Sequence, residues 1–575
     1  MAGEQAEDDG DFTILLKRAP VPRREASSGV EKLADAAPAE VASSGAVAPD
    51  ARGAGAGGPG VESPGIAASA VAALIASGPG AGGPGAELPG VAALGASGLT
   101  AGGPGAELLG TEAPPGPGAA VQAALRELAR RAPHYAGFIG TDVRRSIAGI
   151  VAEIDRRLSG QINMILHHPE FQQIEASWRG LRFLVGATET GPMLKIRVLD
   201  ISKRELRRSL RRFHGTAWDQ SPLFRHIYEA EYGQFGGEPY GVLIGDYEFD
   251  HRPEDMQLLG ELAQIAAAAH APFIASAAPS VMQMDSWAEL ANPRDLTRIF
   301  QTPEYAAWRS LRDSEDARYL GLCLPRVLVR LPYGARTDPT EGFAFEEAAE
   351  GPDGRGYLWA NAAYAMAANL VRAFGLYAWC VRIRGVDTGG AVEGLPVLTF
   401  PTADGDVDRR CSTEIALSNR REAELTRNGF IPLVHRKGCD FAAFIGVPSL
   451  QKPGEYADSA ASVNAAISSR LPYLFACCRF AHYLKCMVRD KIGTSMDRYQ
   501  LQDWLQNWLG QYVDGSPEDS DEDWKAEHPL VEAEVTLEAK EDAPGNYNAR
   551  FFLRPHFQLE GLTASLRLVS RVPAQ

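Results

Sequence analysis

GVLIGDYEFDHRPEDMQLLGELAQIAAAAHAPFIASA, residues 241–277, decides the fold class. Its first nine residues form a short apolar run that predicts a strand. MQLLGELAQIAAAAHA, 256–271, spaces its apolar residues by three and four as a helix does, and PFIASA, 272–277, predicts a second strand. A strand, a helix and a strand in that order make a βαβ unit, because parallel neighbours need a crossover that a helix commonly supplies. Upstream, MLKIRVLDI at 193–201 alternates like a strand and leads into a basic helix, with Leu206 and Leu210 one turn apart opposite Lys203, Arg204, Arg207, Arg208, Arg211 and Arg212. That surface could hold phosphate; a solvated or partner-facing face is the simpler reading. Downstream, RVLVRLPY (326–333), WCVRIRG (379–385), VLTFPT (397–402) and DFAAFIGV (440–447) suggest further strands, with a helix over 360–378. The fold expected is mixed α/β.

The flanks differ from this body. VQAALRELARR (121–131), VRRSIAGIVAEIDRRLSGQINMIL (143–166) and HPEFQQIEASWRGLRFLV (168–185) are amphipathic helices. LPYLFACCRFAHYLKCMVRDKIGTSMDRYQLQDWLQNWLGQYV, 471–513, joins a dense apolar helix to a second helix and offers packing rather than chemistry. After an acidic loop at 514–528, VEAEVTLEA (531–539), ARFFLRPHFQL (549–559) and LTASLRLVS (562–570) predict a β-rich appendage. Residues 1–118 are an Ala/Gly/Pro-rich arm that repeats AGGPGAEL at 81–88 and 101–108 and contains a single aromatic, Phe12. It cannot bury enough apolar surface to offset an ordering cost of roughly 1–2 kcal/mol per residue, so a disordered tether is expected. Phe12–Leu16 and Ile66–Ala76 are the two pieces able to order locally or on a partner.

The net charge of −16 gathers in two places: 14 acids against 6 bases in 1–118, and 7 acids against Lys525 in 514–528. The remainder is nearly neutral, which argues against a nucleic-acid binder with a net basic face. Seven cysteines with no C-x-x-C pair fit reduced thiols, and no secretory signal is visible. The longest apolar stretches are interrupted by Arg372, Arg479 and Lys485, so no membrane insertion is expected and the location expected is cytoplasmic.

The sequence holds no phosphate loop, and GVDTGGAVEGLP at 385–396 lacks the Lys and helix a nucleotide site needs. No G-x-S-x-G elbow is present. His435 with Cys439, and Cys478 with His482, are each spaced by four, yet zinc requires three or four ligands, and packed core residues are the better reading. No catalytic, cofactor-binding or metal residue is nominated. Nine Trp and seventeen Tyr tilt the reading toward assembly, since these residues bury large area at interfaces.

Seven long phrases in order, HPEFQQIEASWRGLRFLV, LKIRVLDISKREL, EPYGVLIGDYEF, DSWAELANPRDLTRIFQTPEYAAWRSLRDSEDARYLGLCLPRVLVRLPYG, LWANAAYAMAANLVRAFGLYAWCVRIRGVDTGGAVEGLPV, EIALSNRREAELTRNGFIPLVHRKG and RLPYLFACCRFAHYLKCMVRDKIG, resemble the large subunit of the type VI secretion contractile sheath, the TssC/VipB family. The resemblance spans about 119–575. It implies a tail-sheath-like fold with N-terminal helices (119–190), an α/β body (191–513) and C-terminal strands (514–575). It also implies a non-enzymatic role without cofactors: pairing with a small sheath subunit of the TssB/VipA type, polymerising around an inner tube of the Hcp type above a baseplate, and contracting. The early helices are implied to bind the small subunit, through Leu125, Leu128, Ile147, Ile150, Ile154 and Leu158. Strand exchange between neighbours is implied at the C-terminus, through Val535, Leu537, Phe551, Leu553, Leu566 and Leu568. Recycling by a AAA+ ATPase of the ClpV type is implied through an N-terminal helix. Here the chain departs from the family, the long arm offering only Phe12–Leu16. Two other readings stay open: the sheath of a related contractile injection particle or phage-like tail, which would need no small subunit, and an undiagnosed α/β enzyme, which would show a deep pocket of convergent polar groups.

Overall fold

The computed structural model describes residues 12–17, scattered positions within 121–130, and 143–558 apart from breaks at 293–294, 350–355, 402–406, 410, 540–546 and 557. One compact unit comprises 1–23 and 122–575; a second, 24–121, falls outside the described residues except for Val121.

An eight-stranded sheet runs through the first unit. Its strands are β1 (Phe12–Lys17), β2 (Lys195–Asp200), β3 (Tyr240–Phe249), β4 (Phe273–Ala277), β5 (Leu320–Leu324), β6 (Ala391–Val392), β7 (Phe430–His435) and β8 (Ala442–Phe444), in the order β2-β1-β3-β4-β5-β7-β8-β6. The middle strands β3, β4, β5 and β7 are parallel; β8 and β6 continue antiparallel. On the other side β1 is antiparallel to both β2 and β3, with Ile14 opposite Val198 on one edge and Ile244 on the other. Phe12–Leu16, the apolar run noted in the arm, thus joins β2 to the sheet.

Alternate residues of the parallel strands enter two different cores, which is why these strands are almost continuously apolar. Leu243, Phe273, Leu322 and Phe430 meet helix α4 (Pro253–Ala269), with Leu206 and Leu210 of α3 (Lys203–Arg211) in the same cluster. Val242, Ile244, Ile274, Cys323 and Ile431 point the other way, toward α5 (Ala363–Tyr377) and α6 (Leu471–Lys491). Two N-terminal helices precede β2: α1 (Val143–Leu166) and α2 (Pro169–Gly186). Gly180 lets α2 lie close to α5, since a Cβ there would stand 2.4 Å from the Tyr364 ring.

A third core is built by the C-terminal elements. Leu505 and Leu509 of α7 (Arg498–Gly510) pack with Phe480 and Trp379 against Val535 and Leu537 of a hairpin, β9 (Leu530–Ala539) paired with β10 (Tyr547–Pro555). The acidic segment between α7 and β9 is ordered: Asp521 caps α8 (Glu522–Glu527) by accepting from Trp524 N at 2.7 Å, and Tyr377 Oη donates to Asp523 at 2.8 Å.

The βαβ reading matches β3-α4-β4 in full. Two strands of the parallel sheet, β5 and β7, go unannounced by periodicity, because each is a short apolar run buried on both faces. RVLVRLPY supplies only the two-residue strand Val327–Leu328, and WCVRIRG forms no regular strand. β8 falls inside DFAAFIGV as expected, whereas LTASLRLVS and Ile66–Ala76 lie outside the described residues.

Candidate assembly interfaces

Helix α1 is fixed at its end. Asn163 Nδ2 donates to Glu346 O at 3.2 Å, while Ala348 N donates to Asn163 Oδ1 at 2.8 Å. The joint with α2 is held by a largely buried ion cluster. Arg330 reaches Glu347 through two nitrogens, at 2.6 and 2.9 Å, and Glu175 through Nε at 2.7 Å; Arg179 also donates to Glu175 at 2.7 Å. Removing the Arg330 guanidinium would leave the buried Glu347 carboxylate without its guanidinium partner and Glu175 with Arg179 alone, which costs about 3–5 kcal/mol.

From that anchor α1 carries an apolar stripe with nothing described lying on it. Ile147, Val151, Ile154, Leu158 and Ile165 recur at helical spacing and are 41, 49, 38, 41 and 52 % exposed. Ile150, by contrast, is buried at 6 %. The polar flank pairs with itself: Glu153 accepts from Arg157 at 2.7 Å and Arg156 at 2.8 Å, and those bonds bring its carboxyl down to about 2. Trp178 of α2 adds 58 % exposed aromatic surface. Exposed aliphatics recurring along one helix form an apolar face of the kind that interaction surfaces present. Val151 and Ile165 were legible from the same spacing that nominates Ile147 and Ile154. Leu125 and Leu128 lie outside the described residues.

At the C-terminal hairpin, Val535 and Leu537 are buried at 2 and 3 %, with Phe551 and Leu553 packed beside them. These side chains face α7 of their own chain, so any exchange here works through the hairpin's backbone edge. Leu566 and Leu568 lie outside the described residues.

The titratable interior is occupied by packing. Cys478 and His482 sit on α6, where His482 Nε2 is 2.8 Å from Ala269 O and Nδ1 is 3.1 Å from Arg479 Nη1. Burial, reinforced by Arg479, drives the imidazole pKa far below its ordinary range. Arg479 and His482 border an otherwise apolar cavity lined by Leu370, Phe374, Trp379 and Phe475. His435 Nδ1 is 3.4 Å from Ser412 Oγ. On β3, burial raises the Asp246 carboxyl, opposed by bonds from Ser177, Tyr364 and Asn361, with Tyr364 Oη at 3.0 Å. The basic helix α3 spends Lys203 and Arg207 on Asp255, at 2.8 and 2.7 Å, and leaves Arg204, Arg208 and Arg211 exposed. Among the described residues no cluster of three metal-ligating groups occurs, and no helix is long and apolar enough to cross a membrane.

Comparison with known proteins gives the same sheath context. Two family profiles match in succession: EvpB/VC_A0108, tail sheath N-terminal domain, over 148–451, and EvpB/VC_A0108, tail sheath gpW/gp25-like domain, over 460–572. The type VI secretion system sheath protein TssC1 of Pseudomonas aeruginosa strain PAO1 is 62% identical over 455 residues, covering 79% of this chain and 91% of that protein. Among solved structures, a chain of the anti-feeding prophage baseplate has TM-score 0.36 at 11% identity, covering 69% of this chain and 81% of its own. A chain of an extracellular contractile injection system sheath, PVC, in the contracted state has TM-score 0.30 at 8% identity, covering 54% and 68%. With its helices, parallel-centred sheet and C-terminal hairpin in place, and most of its length matched, this chain belongs to the TssC/VipB tail-sheath family.

Proposed function

We propose that this protein is the large structural subunit of a type VI secretion contractile sheath. In this reading it pairs with a small sheath subunit, polymerises around an inner tube above a baseplate, and contracts to drive the tube outward. It works in the cytoplasm as a non-enzymatic building block. The observation that carries the reading is the exposed stripe Ile147–Val151–Ile154–Leu158 on a helix held firmly at its far end, in a chain 62% identical over 455 residues to a sheath protein. The small subunit would cover that stripe. Contraction would be a rigid-body shift of α/β bodies linked by exchanged strands, with the C-terminal hairpin as one exchange point. A AAA+ ATPase would dismantle the contracted polymer, and residues 18–118 would serve as a tether.

Co-expression with the small sheath protein, followed by negative-stain electron microscopy, tests this. Hollow tubules that form only with the partner are expected. Discrete globules in both samples would sink the proposal, and tubules from this chain alone would favour the sheath of a related injection particle.

A further inference from the structure

Helix α3 turns a row of cations to solvent. Leu206 and Leu210 hold the helix to the core, and Lys203 and Arg207 are spent on Asp255, at 2.8 and 2.7 Å. Glu205, its one acid, closes a capping box by accepting from Ser202 N at 3.1 Å and Ser202 Oγ at 2.9 Å. Arg204, Arg208 and Arg211, with Arg212 at the C-cap, are left along the outer face, exposed and, among the described residues, in no ion pair. Like charges three and four residues apart on a helix destabilise one another, so the row favours an anionic cover.

The register of β1 brings such a cover to this corner. Phe12 lies opposite Asp200 and Lys17 opposite Lys195, so the chain before Phe12 heads toward the end of β2 from which α3 starts. The corner is pinned to β3: Tyr247 Oη donates to Ile201 O at 2.8 Å, and Lys203 Nζ donates to Glu248 O at 2.5 Å. Residues 4–11, EQAEDDGD, fall outside the described residues and carry Glu4, Glu7, Asp8, Asp9 and Asp11 with no Lys or Arg. Eight extended residues span up to about 26 Å, whereas nine helical residues rise about 14 Å, so the segment can turn at Gly10 and still cover the whole row. A straight course along β3 would instead set its carboxylates beside Glu248 and Asp250, like charge against like.

We propose that the guanidinium row of Arg204, Arg208, Arg211 and Arg212 is the docking surface for the acidic segment 4–11 of the same chain, and that this contact fastens the Phe12 end of β1. It stands on the register of β1 and on charge, independently of the sheath reading. Lys203 and Arg207 take no part, because Asp255 already holds them. The contact is solvent-facing, so salt governs it. The screening length falls from about 10 Å at 0.1 M salt to about 3 Å at 1 M, which removes most of the attraction and frees that end of the strand first.

Cross-linking and hydrogen exchange on the full chain test the proposal. A photoreactive phenylalanine analogue in place of Ala6, which removes no charge, should cross-link to 203–212 at about 0.1 M salt and about fivefold less at 1 M. In a mixture of normal and isotopically heavy chains, the joined peptides should be both light or both heavy. Neutralising the segment by Glu4→Gln, Glu7→Gln, Asp8→Asn, Asp9→Asn and Asp11→Asn alters no described residue. It should abolish the cross-link and, in low salt, speed amide exchange at 12–14 by about threefold, through easier local opening. Arg204→Glu, Arg208→Glu and Arg211→Glu together should also abolish the cross-link, and adding Glu4→Lys, Glu7→Lys, Asp8→Lys and Asp9→Lys to that background should restore it. A cross-link indifferent to salt and to neutralisation, or unchanged exchange at 12–14, would overturn the docking. Mixed light and heavy peptides would give the row to a second copy, and a cross-link to the small partner or to another part of the chain would likewise overturn the same-chain occupant.

Discussion

At the residue scale, two positions in the interior make the fold's tolerances measurable. Gly180 is demanded by distance, not by backbone angle, because the Tyr364 ring fills the space a side chain would take. Gly180→Ala is expected to cost about 1–3 kcal/mol through overpacking, seen as a lowered Tm; an unchanged Tm would show that α2 can ride away from α5. His482 is the second position. Its Nδ1 receives Arg479 and its Nε2–H serves Ala269 O, so the neutral tautomer is the one these partners accept. The folded pKa is depressed, so below about 6.5 the unfolded chain binds a proton that the native state refuses. Stability is complete above that pH and falls as the pH drops, by up to about 1.4 kcal/mol per unit for this group. His270 is shifted the same way by burial and Lys485. Thermal melts from pH 7.5 to 5 should show the decline, and His482→Gln should flatten it; identical slopes in both proteins would falsify the assignment to this residue.

Elements bring together what single residues cannot. Among the described residues β1 is the only strand hydrogen-bonded to β2, and it ties β2 to the rest of the sheet. Deleting 12–17 would open two backbone edges at once, on β2 and β3, and an unpaired edge invites aggregation. Faster amide exchange in 195–200 and 240–245 and a lower Tm are expected. Unchanged exchange there would mean that β1 contributes nothing to the sheet. Helix α1 gives the opposite prediction. Val151→Asp and Ile154→Asp alter exposed positions, so stability should move by no more than about 0.5 kcal/mol. Binding of the small partner, measured by pulldown or titration, should weaken by more than tenfold, about 1.4 kcal/mol or more. Normal binding by both variants would place the partner elsewhere.

On the scale of the whole molecule, the arm divides into a seated strand and a long connection. Shortening 24–118 while keeping 1–23 should leave pairing and tubule formation intact if the connection only tethers, whereas removing 1–118 entirely also takes away β1. Comparing the two deletion variants by electron microscopy separates the contributions: loss of tubules in both would give the Ala/Gly/Pro segment a role beyond reach.

Much of this organisation was readable in the chain itself. The βαβ unit at 241–277, the amphipathic stripes of α1 and α3 and the alternation of β9 are local patterns, set by periodicities of 3.6 and 2 that the sequence carries whatever it packs against. Long phrases in a fixed order likewise placed the chain in its family. What needed the tertiary structure were relations between distant segments. β5 and β7 are apolar runs whose strand identity comes from burial on both faces of a parallel sheet. Phe12–Lys17 becomes a strand only because β2 and β3 offer two edges more than 170 residues away in the chain. Val535 and Leu537 face their own α7. Periodicity tells which residues share a face; which face is covered depends on what the rest of the chain brings beside it.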